Sequence, residues 1–259
     1  MQRLTPLTAP ADLAGAWCND DDRTSATLEA VSFVTPALER FFIRTVADCL
    51  PLEGNDPELE RLCREFIHEE AEHTGAHRKL NTALLDYMKA PPPGLAAVEG
   101  LLDIVNRRLS LSTRVALVAA LEHFTAVLSK SYLCSHGHWQ FGCAYARDLF
   151  HQHAHEEIDH RSVAFDLWLH RGGGSVPVRM ATITSILMVG AVYLGIAAPW
   201  ILHRKNGGRF AATIAALLTP RPRPAGAGST FKDLLRYVGR NYHPRHLIDD
   251  LPNPEGSSQ

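Results

Sequence analysis

The chain has 259 residues, of which 46% are hydrophobic and 21% charged, with a formal net charge of −2. That length can bury a large core, as one domain or as a domain with an appendage, and the composition argues against disorder outside the ends. Five cysteines (Cys18, Cys49, Cys63, Cys134 and Cys143) form no Cys-x-x-Cys pair and are odd in number, which argues against a disulfide framework or a zinc ribbon and for buried thiols in a reducing compartment.

Residues 1–26 are read as an N-terminal extension without the continuous apolar stretch of a secretion signal, so a cytoplasmic location is expected. Helical periodicity then predicts four core helices over about 27–50, 57–88, 111–135 and 142–170, with strand-like alternation nearly absent. The breaks between them carry turn residues: Pro51 to Pro57, the run Pro91-Pro92-Pro93-Gly94, Ser135 to Gly142, and Gly172-Gly173-Gly174. A further helix is predicted over about 95–108, inside a connection of the length that ferritin-like bundles use as a crossover. The fold class expected is therefore all-α, a ferritin-like four-helix bundle over residues 27–174.

After Gly174 the character changes. A hydrophobic helical segment is expected over 175–219; within it, Ala181 to Leu202 is an uncharged apolar run long enough to span a hydrocarbon core, followed by His203-Arg204-Lys205. A shorter apolar run, Phe210 to Thr219, leads into Pro220-Arg221-Pro222-Arg223-Pro224 and a basic amphipathic tail from Phe231, so 220–259 reads as linker and tail. From Arg171 to His246 there are 11 Lys or Arg and one acid, Asp233. The run 181–202 fits a membrane span, a helix lying in the interface, or a helix packed over the bundle, and the basic surroundings favour an anionic membrane surface.

The strongest signal is an internal repeat. His68-Glu69-Glu70-Ala71-Glu72-His73 recurs as His155-Glu156-Glu157-Ile158-Asp159-His160, and each copy is preceded by a matched Leu-Glu-x-Phe, at Leu38 to Phe41 and at Leu121 to Phe124. The chain is a helix pair used twice, each pair offering a lone Glu on one helix and a Glu-x-x-His on the next. Residues three apart share a helix face, so Glu70 with His73, and Glu157 with His160, point at one place. Glu39 and Glu122 supply the facing carboxylates, completing four Glu and two His around two metal ions. His153, four before Glu157, adds a seventh ligand. His77 is expected as a supporting or core hydrogen-bonding group. Glu72 and Asp159 are candidates to orient a ligand histidine, and Glu69 and Glu156 lie about 100° off the ligand face. Carboxylates in the middle of an apolar stripe would be ruinous unless they bind a cation or one another. Hard oxygen donors with imidazole suit iron, with manganese or zinc as substitutes. A zinc-protease motif, a Gly-x-Ser-x-Gly elbow and a phosphate-cradling loop are all absent from the sequence, and nucleic acid is not an expected partner.

These residues resemble the ferritin-like di-iron carboxylate superfamily. More closely, through LERFFIRTV, FIHEEAEH, AALEHFTAVL, HAHEEIDHRSVAFD and YVGRNYHPRHLIDD, the chain resembles the bacterial family catalogued as predicted metal-dependent hydrolases. The spacing of His153, Glu157 and His160 is also similar to that of di-iron arylamine N-oxygenases. The resemblance implies a di-metal bundle. The ligand types lead us to expect an oxygenase or oxidase that uses two irons, dioxygen and an electron donor to oxidise a hydrophobic small molecule. The alternatives are a di-metal hydrolase that activates water, and an iron-handling protein.

Overall fold

Three of the long helices open on a side-chain cap. The computed structural model describes residues 4–7, 13, 15–52, 54, 56–135, 139–219 and 227–248; they are predominantly helical, and no strand occurs among them. Helix α1 (Asp22–Ala47) is capped by Asp21, whose carboxylate accepts from the Arg23 amide. Asp56 does the same for α2 (Pro57–Met88) by accepting from the Leu59 amide, and Pro57 sits at the first position, where a missing N–H costs nothing. Lys89, left-handed at φ 63°, stops α2 before the proline run. Helix α3 (Leu95–Arg108) fills the connection, and Ser110 caps α4 (Leu111–Cys134). The helix predicted over 142–170 is two, α5 (Ala144–His160) and α6 (Val163–His170). Arg161 and Ser162 between them keep right-handed helical dihedrals, so the ladder is interrupted without the chain reversing.

Helix α1 lies along α2, and α4 lies along α5 and α6, with the two pairs facing each other. Their inward faces form two apolar clusters. One gathers Ala26 to Phe33 of α1, Ala76 to Met88 of α2 and Tyr145 to Leu149 of α5. The other gathers Phe41 to Val46 of α1, Leu59 to Phe66 of α2, Val115 to Leu121 of α4 and Val163 to Trp168 of α6. Between these clusters, α1, α2, α4 and α5 each contribute buried charged groups. The site is a polar layer between two apolar ones.

Helix α7 (Val176–Lys205) folds straight back onto this core. A Cβ on Gly173 would lie 2.1 Å from Trp168 Nε1, and Gly174 has φ +100°, so the turn needs its glycines. One face of α7 is buried against α1 and α4, and Tyr193 Oη donates to the Ala30 carbonyl at 2.9 Å. At its end Lys205 Nζ sits 2.7 Å from Glu29 Oε1, both buried, and Arg204 donates to the Met88 carbonyl. Part of the basic flank seen in the sequence is thus spent inside the protein. The opposite face, with Met180, Leu187, Met188, Val192 and Ile196, is exposed. Helix α8 (Phe210–Leu218) extends this character, with Phe210 72% and Leu218 76% exposed. By length and composition α4 and α7 could both cross a membrane, but α4 is largely enclosed by its neighbours and α7 is not.

The basic tail packs rather than dangling. Helix α9 (Ala227–Arg236) returns to α4, where Asp233 pairs with Lys130 at 2.9 Å, both buried. Tyr237 is fully buried and stacks on His123 at 4.6 Å, ahead of a short 3-10 helix, Pro244–Ile248. The Pro-rich linker at 220–224 and the tail beyond 248 lie outside the described residues. All five cysteines are free; Cys134 is exposed and the other four are buried.

Candidate metal centre

The stripe spacing read from the sequence turns the two Glu-x-x-His pairs toward each other. Glu39, Glu70, His73, Glu122, Glu157 and His160 are each at most 3% exposed. Ligand-capable atoms of Glu39, His73 and His153 lie within 4.8 Å of one another, as do those of Glu70, His73 and Glu157. His160 joins through Nδ1, 3.0 Å from Glu70 Oε1. Glu122, wholly enclosed, feels the charges of Glu157, Glu70 and His160. His153, with 15% of its side chain exposed, places Nε2 2.7 Å from Glu157 Oε1.

The electrostatics are those of a negative cluster short of cations. Among the described residues, histidines are the only ion-pair partners of Glu39, Glu70 and Glu157, and no Lys or Arg pairs with any of the four carboxylates. Glu39 Oε1, Glu70 Oε2, both oxygens of Glu122 and His73 Nδ1 are buried without a hydrogen-bond partner among the described residues. Burial, then repulsion from Glu70, holds the Glu39 carboxyl well above its usual range; burial, then repulsion from Glu157, does the same to Glu122. Glu70 goes the other way: burial pushes it up, but His160 and His73 pull it down to about 2. Burial disfavours charge on His73, yet Glu156 and Glu70 raise it to about 10. His160 is likewise raised, by Glu69 and Glu70 against burial. Without metal, protons take the cation's place. Orphaned inward-facing oxygen and nitrogen donors of this kind fit a metal ion.

The supporting groups follow the repeat. Glu156 Oε2 bonds His73 Nε2, and Glu69 Oε2 bonds His160 Nε2 at 2.6 Å, so each helix steadies the other's histidine. The sequence offered Glu72 and Asp159 as candidates for this role, with surface exposure as the alternative for each. The structure instead puts Glu72 3.9 Å from His68 on its own helix and leaves Asp159 exposed, because at 100° per residue each stands about 200° round its helix from the inward-facing Glu two positions before it. Thr74 Oγ1 donates to Glu39 Oε2 at 2.8 Å, and Thr125 Oγ1 donates to Glu157 Oε2 at 2.5 Å. His77, the predicted supporting histidine, sits between Ser32 Oγ and His153 Nδ1, each 2.9 Å away. Burial, reinforced by His153 and His73, pushes it well below its usual range and keeps it neutral. The sequence reading singled out none of Thr74, Thr125, Ser32 and Asn81. For Glu69 and Glu156 the signal was present, since both copies of the repeat keep a paired Glu-Glu.

A sequence profile described as a predicted metal-dependent hydrolase matches residues 2–247. No curated protein and no solved structure matches the chain.

Proposed function

The chain belongs to the family of predicted metal-dependent hydrolases, and from that premise we propose that it hydrolyses an ester or amide bond in a hydrophobic small molecule with two divalent metal ions. The ions would be held by Glu39, Glu70, His73, Glu122, His153, Glu157 and His160 inside a ferritin-like four-helix bundle of α1, α2, α4 and α5. The observation that supports this most is the set of buried carboxylate oxygens on Glu39, Glu70 and Glu122 that find no partner. Iron, manganese and zinc all suit the donors.

When bound, such ions polarise a carbonyl and acidify a water molecule. The chain's own residues hold the donors ready. Glu69 and Glu156 take Nε2 of His160 and His73, leaving each Nδ1 turned toward Glu70. Thr74 and Thr125 each engage one oxygen of Glu39 and Glu157, so the other faces inward. His153, Glu156 and Glu69 are the partly exposed members, so water and substrate approach between α2 and α5. At the far end Phe66 packs edge-on against His160 at 4.9 Å and excludes water.

The oxygenase expectation rests on ligand type and on the spacing of His153, Glu157 and His160, whereas family membership favours hydrolysis. Metal-stripped protein reloaded with zinc or manganese should carry about two ions per chain and cleave chromogenic esters or anilides under argon. Glu157→Ala should lose both metal and turnover. Turnover only on iron-loaded protein supplied with oxygen and a reductant would overturn hydrolysis in favour of oxidation.

We also propose that the outer face of α7 and α8 lies on an anionic lipid surface. Its exposed apolar residues support this, with Arg209, Lys232, Arg236 and Arg240 exposed on the same C-terminal part of the chain.

A further inference from the structure

The two halves of the repeat share their Glu-x-x-His but differ on either side of it. Glu70 and His73 each have a counterpart 87 residues on, at Glu157 and His160. By the same offset His153 corresponds to Phe66, and His77 to Ala164. Phe66 packs edge-on to His160, while His153 stacks flat on His73 at 4.2 Å. One end of the cluster is therefore apolar, and the other runs into a chain of polar groups.

That chain has a direction set by a proline. Pro36, inside α1, has no N–H to give the carbonyl four residues back, which is that of Ser32. Asn81 Nδ2 donates to this carbonyl at 2.8 Å. A carbonyl only accepts, so the Asn81 amide can lie only one way, with Oδ1 turned to Ser32 Oγ at 2.7 Å. Ser32 must donate its one proton there, and its lone pair accepts from His77 Nδ1–H. Neutral His77 then has only a lone pair at Nε2, which accepts from His153 Nδ1–H. What remains on neutral His153 is an unprotonated Nε2 facing the Glu157 carboxylate, an acceptor opposite an acceptor.

We propose that Asn81, Ser32 and His77 form a one-way hydrogen-bond relay that holds His153 with a bare Nε2 toward the cluster, so that the two metal positions differ: one, near Glu39, His73 and His153, rich in nitrogen and the other rich in oxygen. The relay itself is a property of the metal-free protein. Its consequence for the ions rests on the di-metal reading above. Ser32, Asn81 and His77 are positioning residues that act through His153.

The test reads the tautomer directly. In metal-free protein at alkaline pH, ring nitrogen–proton correlations of labelled histidine should show His77 and His153 both protonated at Nδ1. Ser32→Ala, which removes one atom, and His77→Leu should each release His153 into a mixture of tautomers. His77→Gln, whose amide oxygen can stand where Nε2 stood, should restore it. Cobalt(II) titration of the stripped wild-type protein should show two steps; Ser32→Ala and His77→Leu should weaken one of them by roughly 10- to 100-fold and spare the other, with His77→Gln near wild type. An Nε2-protonated His153 in the wild type, or a His153 tautomer indifferent to both variants, overturns the relay. Expected tautomers in a protein that takes up no cobalt would instead overturn the di-metal reading and leave the relay standing.

Discussion

Glu122 is buried with two unpartnered oxygens, an arrangement that costs stability unless something positive arrives. Its removal should therefore separate stability from function. Glu122→Leu should raise the stability of the metal-free protein by about 1–3 kcal/mol, since a desolvated polar group is exchanged for an apolar one. The same change should lower metal content. A variant both less stable without metal and still fully loaded would show that Glu122 is a core polar residue. The sequence carried Glu122 clearly, through its match to Glu39 in a repeated Leu-Glu-x-Phe. It could not carry Thr125, which reaches Glu157 only because α4 and α5 pack side by side.

Among the elements, α7 is the one whose composition and placement pull apart. Its apolar run is long enough to cross a bilayer, yet Tyr193, Ala197, Ile201 and Leu202 are committed to the core. A helix held on one side presents only its other side. Full-length protein should bind vesicles containing anionic lipid, and added salt should weaken the binding by screening the basic residues. Indifference to vesicles, with a doubled mass in solution, would assign the face to a second copy of the chain. Truncation after Arg171 should yield an aggregating fragment, because α7 and Tyr237 cover Phe165 and its neighbours. A soluble fragment with full metal content would show that this cover is dispensable. The helices bounded by a capping side chain or by a proline-glycine break, α2, α3 and α4, were legible to within a residue. The α5–α6 break was not, for Arg161 and Ser162 carry no helix-breaking residue.

At the scale of the whole molecule, the buried layer couples folding to pH and to metal. In the metal-free protein His73 is raised from 6.5 to about 10, so its contribution to stability is full below pH 6.5 and is lost as pH rises toward 10. Glu39 and Glu122, raised by burial, act in the same sense and weaken the fold as they ionise. Glu70 and Glu156, depressed from 4.5 to about 2, contribute above pH 4.5 and are lost as pH falls toward 2. Stability of the stripped protein should thus peak between those limits and decline into alkali. Bound metal displaces the same protons, so loading should release protons, bind more tightly as pH rises, and flatten the alkaline decline. Denaturant melts of stripped and zinc-loaded protein across pH 4 to 10 would check this, and parallel alkaline limbs would count against a metal in the layer.

The sequence by itself determined the helical class, the doubled Glu-x-x-His pattern and the helix faces on which those side chains stand. All three depend on short-range spacing, and a helix converts spacing into direction by a fixed rotation per residue. Tertiary structure alone decided which carboxylate supports which histidine. Glu69 reaches His160, and Glu156 reaches His73, across the contact between α2 and α5. It also decided the fate of the C-terminal charge, where Lys205 and Asp233 find buried partners on α1 and α4. Pro36 joins the two levels. Its missing N–H is written in the sequence, but only the packing of α2 on α1 brings Asn81 to the carbonyl it leaves open, and with it the direction of every hydrogen bond from there to His153.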